Sequence, residues 1–203
     1  MNNALPSARI VGNPKTAGDS SGPDSEPTDA PILVLVLMGV AGSGKTTVGR
    51  LLASRLGWDF AEGDDMHPRA NVAKMASGHP LSDEDRRPWL ERIAAWIDER
   101  RASSQPGIVT CSALKRAYRD MLRGPGVVFV YLTGSKEKIA DRLARRRRHF
   151  MPALLLDSQL SDLEPPGPDE KSITVDMNGT ADQQADEIIS RLRLRRSNAN
   201  ETS

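Results

Sequence analysis

The chain has 203 residues, a length that suits one well-buried domain rather than two. Its 28 Lys and Arg residues balance 27 Asp and Glu residues, so bulk charge indicates neither a nucleic-acid binder nor an acidic tail. A single cysteine, Cys111, excludes an internal disulfide framework and a thiolate-cluster metal site. No apolar run approaches the roughly 18 residues of a membrane span, and no secretory signal is recognisable. We therefore expect a cytoplasmic protein without membrane contact.

The two ends of the chain differ in composition from the segment between them. Residues 1–30 are rich in Asn, Ser, Pro, Gly, Thr and Asp and contain almost nothing to bury, which predicts a disordered leader. Residues 196–203 are polar and are predicted to form a disordered tail. The remaining residues, 31–195, are predicted to form one folded domain.

A glycine-rich stretch follows the first apolar segment of that domain. Residues 32–38 form a continuous apolar run that predicts a buried parallel strand, and apolar residues recur at helical spacing from residue 48. Between them the sequence matches G-x-x-x-x-G-K-[ST], the phosphate-binding loop. The order of strand, loop and helix argues against a flexible glycine turn that matches by chance. The residues assigned to nucleotide binding are Gly39, Val40, Ala41, Gly42, Ser43, Gly44, Lys45, Thr46 and Thr47.

The physical chemistry of this loop predicts binding of a nucleoside triphosphate. Glycines let several backbone N–H groups converge on one concavity, and the helix N-terminus adds partial positive charge. Lys45 is expected to reach the β- and γ-phosphates, and the Thr46 hydroxyl is expected to coordinate Mg²⁺.

A short predicted strand at 58–61 ends in the acidic sequence EGDDMHP, residues 62–68. Because ligands of doubly wound sheets bind at the carboxyl ends of the strands, we expect these acidic side chains to face the γ-phosphate. One carboxylate there can accept a proton from an attacking hydroxyl, while a second can hold metal-bound water. The alternative is an Asp-rich turn that caps the next helix, and the two interpretations are compatible.

Basic residues lie on the elements that follow. A short helix is predicted at 71–78, and a second begins at the Ser82 cap and runs to about residue 101. In its first turns Arg86 can bind an anionic substrate or remain a solvated or salt-bridged arginine. A strand at 107–113 leads into a basic helix at 114–123, on which Lys115 and Arg119 can present two cations on one face. A strand at 126–132 is predicted to be central.

An arginine-rich helix precedes a predicted lid at about residues 145–166. The helix covers 136–148 and carries Arg142 and the four-arginine run at 145–148. In a phosphoryl-transfer enzyme, a mobile segment here suits a lid that brings arginines onto the transferring phosphate and excludes water. A nucleic-acid patch is the less favoured alternative, because bulk charge is balanced and a phosphate-binding loop lies upstream.

A last strand at 172–176 and a helix at 182–194 complete the alternation of strands and helices. The fold class predicted from this alternation is α/β: a single doubly wound parallel sheet of about five strands, with helices on both faces and a lid.

Six ordered motifs resemble those of gluconokinases of the thermoresistant type. They are MGVAGSGKT (38–46), EGDDMHP (62–68), NVAKM with GHPL (71–81), DEDRRPWL (83–90), CSALKRAYRDMLR (111–123), and HFMP with LLLDSQ (149–159). The resemblance covers about residues 33–192. It implies a P-loop kinase domain related to nucleoside monophosphate and shikimate kinases. It also implies ATP-dependent phosphorylation of D-gluconate on its 6-hydroxyl, giving 6-phospho-D-gluconate.

The resemblance implies catalytic roles for individual residues. Asp64 orients the substrate hydroxyl or accepts its proton. Glu62, where many relatives have Asp, serves magnesium-bound water. Lys45 and a lid arginine, assigned to Arg147, stabilise the transferring phosphate, and Arg142 contacts the nucleotide.

The resemblance also implies a substrate site and leaves parts of it open. Its residues are His67, Arg86, Lys115 and Arg119, in addition to the catalytic carboxylate, and motif membership does not say which cation contacts the gluconate carboxylate. The chain departs from the family at Leu160, where an aromatic residue is common, and in its denser arginine run. Dimerisation occurs among relatives, so a homodimer is kept as an open alternative.

Two other functions remain as alternatives. A kinase for another small metabolite, such as shikimate, would share the loop, whereas a nucleoside monophosphate kinase is disfavoured because only 4% of the residues are aromatic. From a different class, a nucleotide-dependent RNA-associated NTPase would use the arginine run and would bind RNA in a strongly salt-dependent way.

Overall fold

Five parallel strands form one sheet in the computed structural model, which describes residues 31–145 and 153–196. The strands are β1 (Val34–Met38), β2 (Asp59–Ala61), β3 (Gly107–Thr110), β4 (Val127–Thr133) and β5 (Ser172–Asp176). Their order across the sheet is β2-β3-β1-β4-β5, and each neighbouring pair is parallel. The predicted parallel sheet is therefore confirmed. As predicted, β4 lies in the interior of the sheet, between β1 and β5, and β1 is the middle strand.

Helices cover both faces of this sheet, as the doubly wound fold class predicts. They are α1 (Lys45–Leu56), α2 (Arg69–Ala76), α3 (Asp83–Ala102), α4 (Arg116–Leu122), α5 (Lys136–Arg145), α6 (Ala153–Asp162) and α7 (Ala181–Arg191). Alternate side chains of β1 point to opposite faces. Val34, Val36 and Met38 pack in a core cluster with residues of α3 and α4. Leu35 and Leu37 pack in a second cluster with residues of α1 and α7. Burial on both faces explains why the strand is a continuous apolar run.

The helix N-terminal signals read from the sequence are present at α3. The Ser82 hydroxyl accepts a hydrogen bond from the Asp85 N–H, and the Asp85 carboxylate accepts one from the Ser82 N–H at 2.8 Å. This reciprocal capping box satisfies two backbone donors that would otherwise be unpaired in the first turn. Thr180 and Gln183 form the same arrangement at the start of α7.

The predicted lid contains a helix that the sequence analysis missed. A mobile segment is predicted for residues 145–166, but α6 occupies ten of these residues. Leu156, Leu160 and Leu163 recur at helical spacing and pack in a third apolar cluster, which also contains Val40 of the phosphate-binding loop. Burial of this leucine face stabilises the helix. Residues 146–152, which include Arg147 and the HFMP motif, lie outside the described part of the chain.

The predicted leader and most of the predicted tail also lie outside the described residues, so the domain boundaries stay predictions. Within residues 31–145 and 153–196, no helix has both the length and the apolar character needed to cross a bilayer.

Candidate active site

The phosphate-binding loop lies between β1 and α1 and depends on its glycines. Gly39 has φ +132° and Gly42 has φ +83°, which are conformations that residues with a Cβ rarely adopt. A Cβ on Gly39 would lie 2.6 Å from the Leu132 carbonyl oxygen, and one on Gly42 would lie 2.8 Å from Leu143 Cγ. The loop is therefore tightly held between β4 and α5, and its backbone can approach a phosphate closely.

Lys45 lies across this loop. Its Nζ donates hydrogen bonds at 3.0 Å to the carbonyl oxygens of Gly39 and Val40. Thr46 follows in the first turn of α1 and is partly buried, whereas Thr47 is exposed. The ammonium group is thus held against the loop, next to the N-terminus of α1.

A cavity of about 320 Å³ adjoins the loop at the start of α1. Its lining residues come from the loop, α1, α5 and the segment that leads into α7: Gly42, Gly44, Thr47, Val48, Arg142, Gly179, Thr180, Ala181 and Gln184. The predicted nucleotide contact Arg142 lines this cavity, and its Nη2 donates to the Met177 carbonyl at 2.7 Å. The cavity has a size typical of small-ligand sites.

The sequence analysis missed the segment between β5 and α7 in this cavity. Gln184 is 3% exposed, and its Nε2 donates to the Gly179 carbonyl at 3.1 Å, which fixes the turn that forms the cavity wall. The rule that ligands bind at the carboxyl ends of parallel strands could have identified this turn, because it follows β5 directly.

The acidic sequence after β2 forms a short 3₁₀ helix, Gly63–Met66, that is fixed from two sides. Trp89 Nε1 donates to the Gly63 carbonyl at 2.6 Å, and the Gly63 N–H donates to Thr110 Oγ1 at 3.1 Å. The Thr110 hydroxyl in turn donates to the Glu62 carboxylate. A Cβ on Gly63 would lie only 1.9 Å from the Thr110 carbonyl oxygen, so only glycine permits this approach. The exposed Asp64 is held on a rigid turn.

Three predicted site residues change the pKa of one buried thiol. The pKa of Cys111 is raised to about 12, chiefly because the thiol is buried, although a backbone hydrogen bond at Ala113 opposes the change. The Asp64 carboxylate raises this pKa further, whereas Lys45 and Arg86 lower it. Hydrogen bonds place two of the predicted site segments at this end of β3: the Gly39 N–H donates to the Ser112 carbonyl at 3.2 Å, and the Gly63 N–H donates to Thr110 Oγ1 at 3.1 Å. The phosphate-binding loop and the acidic turn therefore meet at one edge of the sheet.

His67 lies at the same edge and is held by stacking. Its ring lies 4.3 Å from the Trp89 ring between centroids, at an interplanar angle of 13°. The Asn71 side-chain nitrogen lies 3.4 Å from His67 Nδ1. Burial lowers the pKa of His67; Asp64 opposes this effect, whereas Arg86 and Arg92 add to it. The imidazole is therefore kept predominantly neutral near neutral pH.

Two predicted substrate cations converge on Tyr118. Arg86 Nη1 donates to the Tyr118 hydroxyl at 3.3 Å, and Lys115 Nζ lies 5.7 Å from the centroid of the Tyr118 ring. Both cations have carboxylate partners: Lys115 Nζ contacts the two Asp83 oxygens at 2.9 and 3.0 Å, and Arg86 Nη1 lies 3.9 Å from Asp162 Oδ2. Hydrogen bonds from Tyr118 and then Lys115 lower the pKa of Asp83. These groups form a face that can bind an anion.

The side chain of Arg119, for which a substrate-binding role is predicted, is held by protein groups inside the fold. This side chain is 1% exposed and forms a buried ion pair with Glu170, in which Nε lies 2.5 Å from Oε2. Its Nη1 donates to the carbonyl oxygens of Ala113, Leu114 and Glu164 at 2.9–3.1 Å. All of these partners are protein groups, so the guanidinium joins the segment after α6 to the loop after β3. Lys115 directly precedes α4 as its N-cap residue, whereas Arg119 lies within α4 and its side chain points into the protein.

Metal binding at this site can involve few protein ligands. Among the described residues, no group of three His, Cys, Asp or Glu side chains is arranged to hold a metal ion. The predicted metal contacts are the Thr46 hydroxyl and the Glu62 carboxylate, and the latter is oriented by Thr110. This donor set fits Mg²⁺, which keeps several waters and takes its other ligands from substrate phosphates.

Comparison with known proteins places these features in a family. The shikimate kinase family model matches residues 41–193. Gluconokinase from Gluconobacter oxydans is 52% identical over 157 residues, which cover 76% of this chain and 88% of the relative. Thermoresistant gluconokinase from Escherichia coli is 44% identical over 146 residues, covering 70% and 82% of the two chains. The crystal structure of a gluconokinase from Sinorhizobium meliloti matches with a TM-score of 0.71 and 44% identity, covering 80% of this chain and 93% of that one. The chain therefore belongs to the gluconokinase family, on the fold that shikimate kinases share.

Proposed function

We propose that this chain transfers the γ-phosphoryl group of ATP to the 6-hydroxyl of D-gluconate. The observation that carries the proposal is the meeting of the phosphate-binding loop and the acidic turn at the end of β3, where the Gly39 N–H donates to Ser112 and the Gly63 N–H donates to Thr110, near a cavity of about 320 Å³. The gluconokinases described above, which are 44–52% identical to the chain, support this choice of substrate.

Lys45 and the backbone amides of the loop bind and orient the phosphates. They form a preorganised positive site, so the charge that develops during transfer needs little reorganisation. Arg142 lies at the boundary between the loop and the adjoining cavity and contacts the nucleotide from α5. Arg147 belongs to residues 146–152, and its role on the transferring phosphate stays a prediction.

Asp64 aligns the attacking hydroxyl and accepts its proton. The turn that carries this carboxylate is fixed through Gly63 by Trp89 and Thr110, so the carboxylate keeps its place without contact from the lid. Phosphoryl transfer depends chiefly on alignment and charge stabilisation, which gives this rigidity a direct role in the rate.

Thr46 and Glu62 are the residues that would hold Mg²⁺. The Thr46 hydroxyl would be a ligand of the ion, and the Glu62 carboxylate would accept hydrogen bonds from its water ligands. When bound, the ion neutralises charge on the β- and γ-phosphates. A hydrogen bond from the Thr110 hydroxyl fixes the orientation of the Glu62 carboxylate.

Arg86 and Lys115 recognise the gluconate carboxylate, with His67 on the polyol. Both cations lie on partly exposed side chains beside Tyr118, whereas Arg119 is buried and paired with Glu170, which favours the first two for this role. A substrate carboxylate would replace Asp83 or Asp162 as the partner of these cations. A cytoplasmic location completes the proposal, and a homodimer stays an open alternative.

A coupled ADP-release assay tests the function directly. The enzyme is mixed with ATP and Mg²⁺ and offered gluconate, shikimate, a nucleoside monophosphate, RNA or no acceptor. We expect ADP release only with gluconate, and 6-phosphogluconate as the product. Equal release with RNA or without any acceptor would contradict the proposal, and preference for shikimate would replace the substrate.

A further inference from the structure

Helix α6 contacts the phosphate-binding loop through one polar side chain. Gln159 Oε1 accepts a hydrogen bond from the Ala41 N–H at 2.7 Å, although 118 positions separate the two residues. Ala41 lies inside the turn formed by residues 40–43, which the Ser43 N–H closes by donating to the Val40 carbonyl at 3.2 Å. A helix from the predicted lid region is thus joined to the loop that holds the phosphates.

An apolar seat holds α6 in the register that makes this bond. Leu156 is 3% exposed and packs in the third cluster with Val40 of the loop, Ile139 of α5 and Met177 after β5; Leu160 packs against the same cluster. Gln159 lies on the helix between the two leucines, so its side chain leaves α6 on the side that faces the loop. The hydrogen bond therefore belongs to a packed contact and not to a solvated side chain.

The loop contains glycines, whose backbone dihedrals are less restricted than those of other residues. Gly39 and Gly42 flank Ala41, and both have positive φ. Glycine restricts its own dihedrals less than other residues do, so the short segment between them needs an external constraint to keep one orientation. The bond from Gln159 supplies that constraint at the Ala41 amide.

We propose that Gln159 is a positioning residue of the phosphate-binding loop. Its carboxamide oxygen fixes the Ala41 peptide, so that the amides that follow keep the orientation in which they bind the triphosphate. This inference rests on the proposed transfer from ATP and adds a residue that touches the loop rather than the reacting atoms. The opposite role, a latch that ATP must displace, predicts the opposite sign for the effect on nucleotide affinity.

The test compares three variants of the full chain. Gln159→Met keeps the length of the side chain but removes the acceptor. Ser158→Ala changes the exposed neighbouring residue on α6 and is the matched control. Leu156→Ala removes part of the apolar seat and represents purely structural damage, with an expected fall in Tm of roughly 5–15 °C. The measurements are Tm, the Kd of a non-hydrolysable ATP analogue by calorimetry, and kcat and KM for ATP and gluconate.

For Gln159→Met we expect the analogue Kd to rise and kcat/KM for ATP to fall, each about tenfold, as loss of one hydrogen bond implies. The KM for gluconate and the Tm should match those of Ser158→Ala. Wild-type nucleotide affinity, tighter binding, or a loss that follows Tm as in Leu156→Ala would each overturn the proposal. Calorimetry needs no acceptor substrate. Failure of the gluconate assay alone would therefore refute the proposed function, whereas the nucleotide affinities of the variants could still be compared.

Discussion

Replacing the Thr110 hydroxyl by a methyl group should destabilise the acidic turn. This hydroxyl accepts from the Gly63 N–H at 3.1 Å and donates to Glu62, and the side chain is 1% exposed. Thr110→Val keeps the shape and removes both hydrogen bonds. The Gly63 amide would then be buried without a partner, whereas the partly exposed Glu62 could be hydrated.

The size of the effect follows from these two bonds. An unsatisfied buried amide costs about 1–3 kcal/mol and a lost hydrogen bond about 1 kcal/mol, so we expect a loss of about 2–4 kcal/mol in the free energy of unfolding. For a domain of this length, that corresponds to a Tm lower by roughly 4–16 °C. A displaced Asp64 should also lower kcat by about 10–100-fold.

Thermal and urea unfolding, with steady-state kinetics on gluconate, would measure both effects. Thr110→Ser is the matched control, because it keeps the hydroxyl and loses only a methyl group, worth about 1 kcal/mol. If Thr110→Val were as stable and as active as Thr110→Ser, the hydroxyl would not hold the turn and the reasoning would be refuted.

Three further predictions concern the charged groups of the site. Lys115→Met should raise the KM for gluconate by about 10–100-fold in steady-state assays, since it removes a charged hydrogen-bond donor, and an unchanged KM would exclude Lys115 from the substrate site. Arg119→Met should lower the free energy of unfolding by about 3–5 kcal/mol in urea titrations, because Glu170 would be left buried without its partner. The control Arg116→Met breaks an exposed ion pair and should cost under about 1 kcal/mol. Equal losses in the two variants would contradict this account. The lowered pKa of His67 means that the unfolded state binds protons first as pH falls below about 6.5, so stability should decline there. Proton NMR should find the His67 pKa below the ordinary value. If acidification lowered the Tm of His67→Gln as much as that of the wild type, the assignment would be contradicted.

The fold could be predicted because its signals are local. The residues of β1 are apolar on both faces, and the glycines at positions 39, 42 and 44 fix the turn that follows. The limits of β5 were predicted correctly, since Ser172–Asp176 alternates polar and β-branched apolar residues between breakers. Helix α6 was missed because the predicted helix break and the prolines at 165 and 166 favoured a loop. Its leucine spacing would have predicted the helix.

The parts of the site that were missed depend on contacts between distant residues. Arg119 and Lys115 read alike in the sequence, one helical turn apart, yet a partner 51 positions away decides that Arg119 is buried. No pattern in the sequence indicates that the Trp89 indole N–H donates to the Gly63 carbonyl. Periodicity tells which face of an element is buried, but it does not identify the polar group that a buried donor meets.

The catalytic carboxylate also had to be chosen among neighbours. Glu62, Asp64 and Asp65 all lie in one acidic stretch, and the resemblance to gluconokinases selected Asp64. The structure distinguishes them physically: Glu62 is bonded to Thr110, whereas Asp64 is exposed and acts electrostatically on His67 and Cys111. The role of Asp64 in transfer remains a proposal that kinetics can decide.

The turnover of Asp64→Asn with gluconate tests the central proposal most directly. The amide keeps the size of the side chain but neither accepts a proton nor carries charge, so kcat should fall by about 10²–10⁴-fold. The Kd of a non-hydrolysable ATP analogue should stay within about twofold of wild type, because the loop and Lys45 hold the nucleotide. An Asp64→Asn enzyme that phosphorylates gluconate at the wild-type rate would contradict the account.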